Sequence, residues 1–162
     1  MSRLPSRNPR PVRREEFSGF FGIGNVLQQV ENAHRDADYS EALGGILTLL
    51  EAAHGRFFSG QHDPEGRYWP ALARSTVRKK GHSTILIDTH KLRESLTERA
   101  EGSIRAVSHR VLVFGTSIPY AFYHQHGTAR LPVRAHVGID VDTLDEITGI
   151  IADEAVDALR GG

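Results

Sequence analysis

The sequence has no cysteine, a single tryptophan, a single methionine and no net charge. Without thiols there is no disulfide framework, no thiolate nucleophile and no cysteine-ligated zinc. No apolar run reaches the ~18 residues that a membrane-spanning helix needs. The stretch Phe17 to Val30 is interrupted by Gly19, Gly22, Gly24, Asn25 and two glutamines, so it is not read as the apolar region of a signal peptide. Twenty basic and twenty acidic side chains cancel. The molecule as a whole therefore carries no field that calls for a nucleic acid or a membrane. Catalytic signatures are missing as well: there is no GxSxG, no GxxxxGK, no HExxH and no GxGxxG.

What is present fits one domain with an arm. At 162 residues the chain buries a real core without staples but is too short for two full domains. The first fourteen residues, MSRLPSRNPRPVRR, hold Arg3, Arg7, Arg10, Arg13 and Arg14, three prolines and no acid. Residues 1–16 are expected to be a flexible arm, because such a composition buries too little apolar surface to offset its ordering entropy. The domain is expected over residues 17–162.

Hydrophobic spacing sets the expected elements. A short helix is read over Asn25 to Arg35. A stronger one follows, where Leu43, Ile46, Leu47, Leu50, Ala53 and Phe57 recur at steps of three and four, with Asp38 and Glu41 as a capping pair. Gly44 and Gly45 within it imply either a close backbone neighbour or a kink. The Asp63-Pro64-Glu65-Gly66 sequence reads as a turn. A short helix closes in a basic turn at Gly81, Thr84 to Ile87 reads as a strand, and a helical turn or a strand starts at Leu92. Ser103 to Phe114 reads as a hairpin around Ser108 to Arg110 or as one long bent strand. Val133, Ala135, Val137 and Ile139 alternate with Arg134, His136 and Gly138, which predicts a half-buried strand with Arg134 and His136 on its polar outer face. A last amphipathic helix over Asp142 to Leu159 carries Leu144, Ile147, Ile151, Ala155 and Ala158 on one face. The expected class is α+β: an N-terminal helix or helices, a small antiparallel sheet, and the C-terminal helix packed on that sheet.

Nine histidines raise the question of metal or proton transfer. On a strand, His124 and His126 would share a face and grip a transition metal, with His136 near by. Tyr120 to His126 reads as a helix instead, where residues two apart diverge by about 200°. No Asp or Glu lies between Ile118 and Ile139 to complete a site, so neither a metal nor a cofactor is expected. Trp69 is either a partner anchor or a closure of the core. The five arginines of the arm are candidates for phosphate contact, which makes a nucleic-acid-binding module the alternative function.

Several segments read together as one pattern. Phe57 to Leu72 (FFSGQHDPEGRYWPAL), Ile85 to Leu96 (ILIDTHKLRESL), Val113 to Thr128 (VFGTSIPYAFYHQHGT) and Leu131 to Ile139 (LPVRAHVGI) resemble the virion-morphogenesis, or tail-completion, family of tailed bacteriophages. The core of the likeness is YAxxHQxGT followed by PxR, within residues 40 to 160. The family usually has Gly where His90 stands, an aromatic where His126 stands, and Pro-Phe where Ala135 and His136 stand. The resemblance implies a structural assembly protein, not an enzyme, made in the host bacterial cytoplasm and carried in the neck or tail of a phage or prophage particle. Its implied partners are copies of itself in a ring, commonly sixfold, neighbouring neck, tail-tube or terminator proteins, and DNA in the channel; no membrane is implied. Trp69, Tyr123, His126, Arg130, Arg134 and His136 are the candidate interface residues, with the loop from Gly127 to Pro132 and exposed Arg130 and Arg134 facing a neighbour or the channel.

Overall fold

The computed structural model describes residues 37–160. The arginine arm and the helix read over Asn25 to Arg35 lie outside them. Helix α1 spans Ser40–Gly60 and buries Ile46, Leu47, Leu50, Ala53, His54, Phe57 and Phe58, the face that the spacing predicts. Its start is held by Asp38, whose Oδ1 accepts the Ser40 N–H at 2.9 Å, with no capping bond to Glu41. The helix is continuous through Gly44 and Gly45, and a Cβ at either would meet nothing within 4 Å, so no close neighbour accounts for them among the described residues. Gln61 ends α1 in the left-handed conformation, φ 53°, and its N–H returns to Phe57 O.

The Asp63 turn forms as read. Gly66 N–H donates to Asp63 O at 2.9 Å, while the Asp63 carboxylate accepts from Arg67 N and Nε, both at 2.8 Å. Helix α2, Arg74–Lys80, closes at Gly81 with φ 78°. Thr84 to Ile87 is not a strand. Its backbone is organised by side chains from elsewhere: Gln61 Oε1 accepts the Ile85 N–H at 3.0 Å, and Lys80 Nζ donates to Thr84 O at 3.0 Å and Ile87 O at 2.7 Å. Leu86 takes φ 57° in this loop, which no ladder strand permits.

Helix α3, Lys91–Thr97, buries Leu92, Ser95 and Leu96. The hairpin is realised as β1, Ser103–Val107, and β2, Leu112–Thr116, antiparallel with Arg105 opposite Phe114. One face lies towards α1 and α3; Ile104, Val107 and Val113 on the strands stay substantially exposed. Arg105 shows how the covered face closes. Its Nε donates to Glu51 at 2.6 Å, Nη1 to Ser95 O at 3.1 Å, and the guanidinium lies 5.5 Å from the Phe114 ring centre. Helix α4, Ala121–His126, follows, and α5, Val141–Arg160, ends the described chain.

The α+β class is observed. The core gathers Ala53, Phe57 and Phe58 of α1 with Trp69, Ile85, Leu92, Leu96 and Ala121. Two details depart from expectation. Helix α5 packs chiefly against α1 and not on the sheet: Arg56 Nη2 donates to Asp140 Oδ2 at 3.2 Å and to Thr143 Oγ1 at 2.9 Å. Its cap is Asp140, whose Oδ1 accepts the Thr143 N–H at 2.7 Å. Thr143 is its one fully buried residue, while Leu144 and Ile151 of the predicted apolar row are 50% and 44% exposed.

The second departure concerns residues 133–139, which form no strand and bend at residues 137 and 138. The alternation is reversed there: Arg134 and His136 are buried and Val133 and Ile139 face out. The cause is polar anchoring from outside the segment, described next.

Candidate functional site

Helix α4 and the segment after it form one unit, and Gln125 holds it together. Its Oε1 accepts from the His136 N–H at 2.9 Å and the Val137 N–H at 3.1 Å, and its Nε2 donates to Val137 O at 3.0 Å. The Arg134 N–H donates to His124 O at 2.8 Å. A side-chain amide thus supplies the hydrogen bonds that an adjoining strand would have made. Between them lies Gly127 at φ 72°, ψ 174°, a region open in practice only to glycine. A Cβ there would sit 2.9 Å from Val133 Cγ2 and 3.1 Å from Leu131 O.

The six interface candidates separate into two groups. Tyr123, His126 and Arg130 are exposed, with His126 beside Phe122 at 4.6 Å between ring centres. Phe122, Leu131 and Val133 are exposed in the same stretch, so this end of the molecule presents apolar rings and side chains to solvent. Trp69, Arg134 and His136 are instead internal, at 5%, 5% and 0% exposure. Trp69 packs its ring edge-on to Phe58 at 5.6 Å and donates Nε1–H to Ala135 O at 2.7 Å. Arg134 donates Nε–H to Pro70 O at 2.9 Å and Nη2–H to Ala71 O at 3.2 Å. Arg134 and His136 point inward because these partners lie beneath the segment, and the surface reading of both is corrected accordingly. The five arm arginines, Arg3, Arg7, Arg10, Arg13 and Arg14, lie outside the described residues.

Three histidines are disfavoured as cations, His54 and His136 in the interior and His124 half-buried. Burial pushes His136 down to about 4, against the pull of its Nδ1 contact with Arg134 O, and His124 and His54 add to the depression. Burial also lowers His54, whose Nδ1 contacts Leu50 O at 2.7 Å, and His124, where the charges of Arg134 and Lys80 act in the same direction. His54 Nε2, His124 Nδ1 and His136 Nε2 have no hydrogen-bond partner. Among the described residues no group of three His, Asp or Glu side chains is placed to hold a metal. Gln125, Gln61, Lys80 and Arg105 were not singled out from the sequence. Gln125 and Gln61 act on backbone groups 11 to 24 residues away, Lys80 on carbonyls four and seven residues on, and Arg105 on the Glu51 carboxylate and Ser95 O, and no local pattern marks these ties; the Gln within YAxxHQxGT was the one available signal.

The architecture is that of a small α+β protein with extensive uncovered apolar surface. Comparison with known families then places it: the family model of the phage virion morphogenesis family matches residues 22–155, and the chain belongs to that family. It is a virion-associated protein of phage assembly. No match was found among curated proteins or among solved structures. No helix among the described residues is long and apolar enough to cross a membrane.

Proposed function

We propose that the protein is a non-enzymatic structural component of the phage neck or tail end, which completes the tail or joins it to the head as a ring of identical copies. The observation that carries this reading is the face of α5. Leu144, Ile151 and Leu159, exposed at 50%, 44% and 43%, fall at steps of seven and eight and so share one side of a 20-residue helix. An apolar row of that length left in water is the mark of a surface meant for a partner. Charge gives it direction. Helix α5 carries Asp142, Asp145, Glu146, Asp153, Glu154 and Asp157 against the single Arg160, whereas α2 carries Arg74, Arg78, Lys79 and Lys80 and no acid. Two unlike surfaces of opposite sign support a head-to-tail contact, the kind that closes into rings. The partners of the ring are then the neighbouring neck, tail-tube or terminator proteins.

Sedimentation velocity and electron microscopy test this, on the protein alone and mixed with its neck neighbours. Rings are expected for the wild type, and Leu144→Gln with Ile151→Gln is expected to remain monomeric with unchanged circular dichroism. Particles lacking the protein are expected to show unjoined heads and tails. A wild type that never enters a ring or particle in either setting refutes the proposal.

A further inference from the structure

A cleft of about 350 Å³ opens between α2, the loop before α3, and α4. Its cations are Lys80 and Arg134, the imidazoles of His90 and His124 lie beside them, and Leu72, Leu92 and Tyr120 make the apolar part of its wall. Arg134 is 5% exposed, yet among the described residues it makes no ion pair. Buried arginines are ordinarily paired with an acid, since removing a charge from water is costly. Arg134 spends Nε–H and one Nη2–H on Pro70 O and Ala71 O, which leaves both Nη1 hydrogens and one on Nη2. Lys80 spends two donors on Thr84 O and Ile87 O and keeps a third. The His124 ring, with its unpartnered Nδ1, feels both positive charges. The acid lining the cleft, exposed Asp88, is not within ion-pair distance of either cation.

We infer that this cleft is a binding site for a carboxylate, seated between Lys80 and Arg134 with its carbon chain against the apolar wall. The free edge of a guanidinium matches the two oxygens of a carboxylate. A single negative charge suits the site better than a phosphate dianion, which would also face Asp88. The size is that of a small-ligand site and admits one acidic side chain with a neighbouring residue. The inference does not depend on ring formation, because the residues all belong to one copy.

The test is a titration of the full chain followed by NMR of the His124 ring and the amides of Thr76 and Thr89. Three probes are used against sodium chloride at equal ionic strength: sodium acetate, inorganic phosphate, and the blocked peptide acetyl-Leu-Asp-Glu-Ile-amide, with acetyl-Leu-Asn-Gln-Ile-amide as its uncharged control. Acetate and the acidic peptide are expected to give saturable shifts in the millimolar range and to raise the lowered His124 pKa, which chloride does not. Tighter binding of the peptide assigns the carboxylate to a partner polypeptide; equal binding assigns it to a free acid. Lys80→Met is expected to weaken binding on the order of tenfold. Because Lys80 also ties the 84–87 loop, Thr76→Phe, which fills the cleft and leaves both cations in place, gives the same readout independently. The inference is overturned by an absence of saturable shifts above chloride, by undiminished binding to Thr76→Phe, by equal binding of the uncharged peptide, or by phosphate binding more tightly than acetate.

Discussion

Replacing His136 by Phe is expected to stabilise the protein, and increasingly so as the pH falls. The imidazole is completely buried, 6.3 Å from the Phe58 ring, with Nδ1 at 3.0 Å from Arg134 O and Nε2 without a partner. An unsatisfied buried polar nitrogen costs about 1–3 kcal/mol, and the lost contact to Arg134 O gives back about 1 kcal/mol, so Phe gains about 1 kcal/mol near pH 7. Protonation adds the larger part. The folded pKa is about 4 against 6.5 for a free imidazole, so the unfolded chain binds a proton that the folded one refuses. Stability is complete above pH 6.5 and is lost as the pH falls towards 4, at about 1.4 kcal/mol per unit. At pH 5 the advantage of Phe over His therefore reaches about 3 kcal/mol. Urea unfolding of both proteins between pH 4 and pH 7.5, followed by circular dichroism, measures it. His54, lowered in the same direction, leaves a slope of the same sign in the variant, so the comparison is between two slopes. Parallel curves for wild type and His136→Phe would refute the reasoning.

Three further substitutions probe the ties described above. Gly127→Ala forces a Cβ into a region reserved for glycine and against Leu131 O, and is expected to cost about 2–3 kcal/mol in thermal unfolding. Glu51→Ala leaves the Arg105 guanidinium buried without its carboxylate at an expected cost of about 3 kcal/mol, and the double variant Glu51→Ala, Arg105→Met should recover most of it in denaturant titrations. His90 occupies φ 62° just before α3, so His90→Gly is expected to raise stability by about 0.5–1 kcal/mol; a loss would show that the His90 side chain has a role of its own.

The elements that were legible in the sequence are those whose order comes from local spacing. Helix α1 shows its buried face at three- and four-residue steps, the hairpin shows its β-branched arms on either side of Ser108 to Arg110, and the Asp63 turn carries its own hydrogen-bonding side chain. The likeness to a family with Gly at position 90 also has a physical counterpart, since that residue takes a left-handed conformation. The errors share one cause. Thr84 to Ile87 and Val133 to Ile139 look like strands because their apolar content and alternation suit one. Their backbone groups are satisfied by Gln61, Lys80 and Gln125, residues 11 to 24 positions away in the case of the two glutamines. Alternation reports only that successive side chains face opposite ways. Which way is inward depends on the partners, and at Arg134 these are carbonyls more than sixty residues distant. Helix α5 was read correctly as amphipathic, but periodicity does not say which element its buried side meets, here chiefly α1.

The use of single amides and ammonium groups in place of a third strand has a kinetic consequence. A ladder opens cooperatively, whereas the 84–87 loop hangs on three bonds from Gln61 and Lys80, and the stretch gripped by Gln125 on a few side-chain bonds, one of them from Trp69. Amide protons of Ile85, His136 and Val137 are therefore expected to exchange with solvent through small local openings, well before those of α1, and to do so as two separate groups. A molecule built this way keeps a fixed scaffold while its connecting segments open and close one at a time.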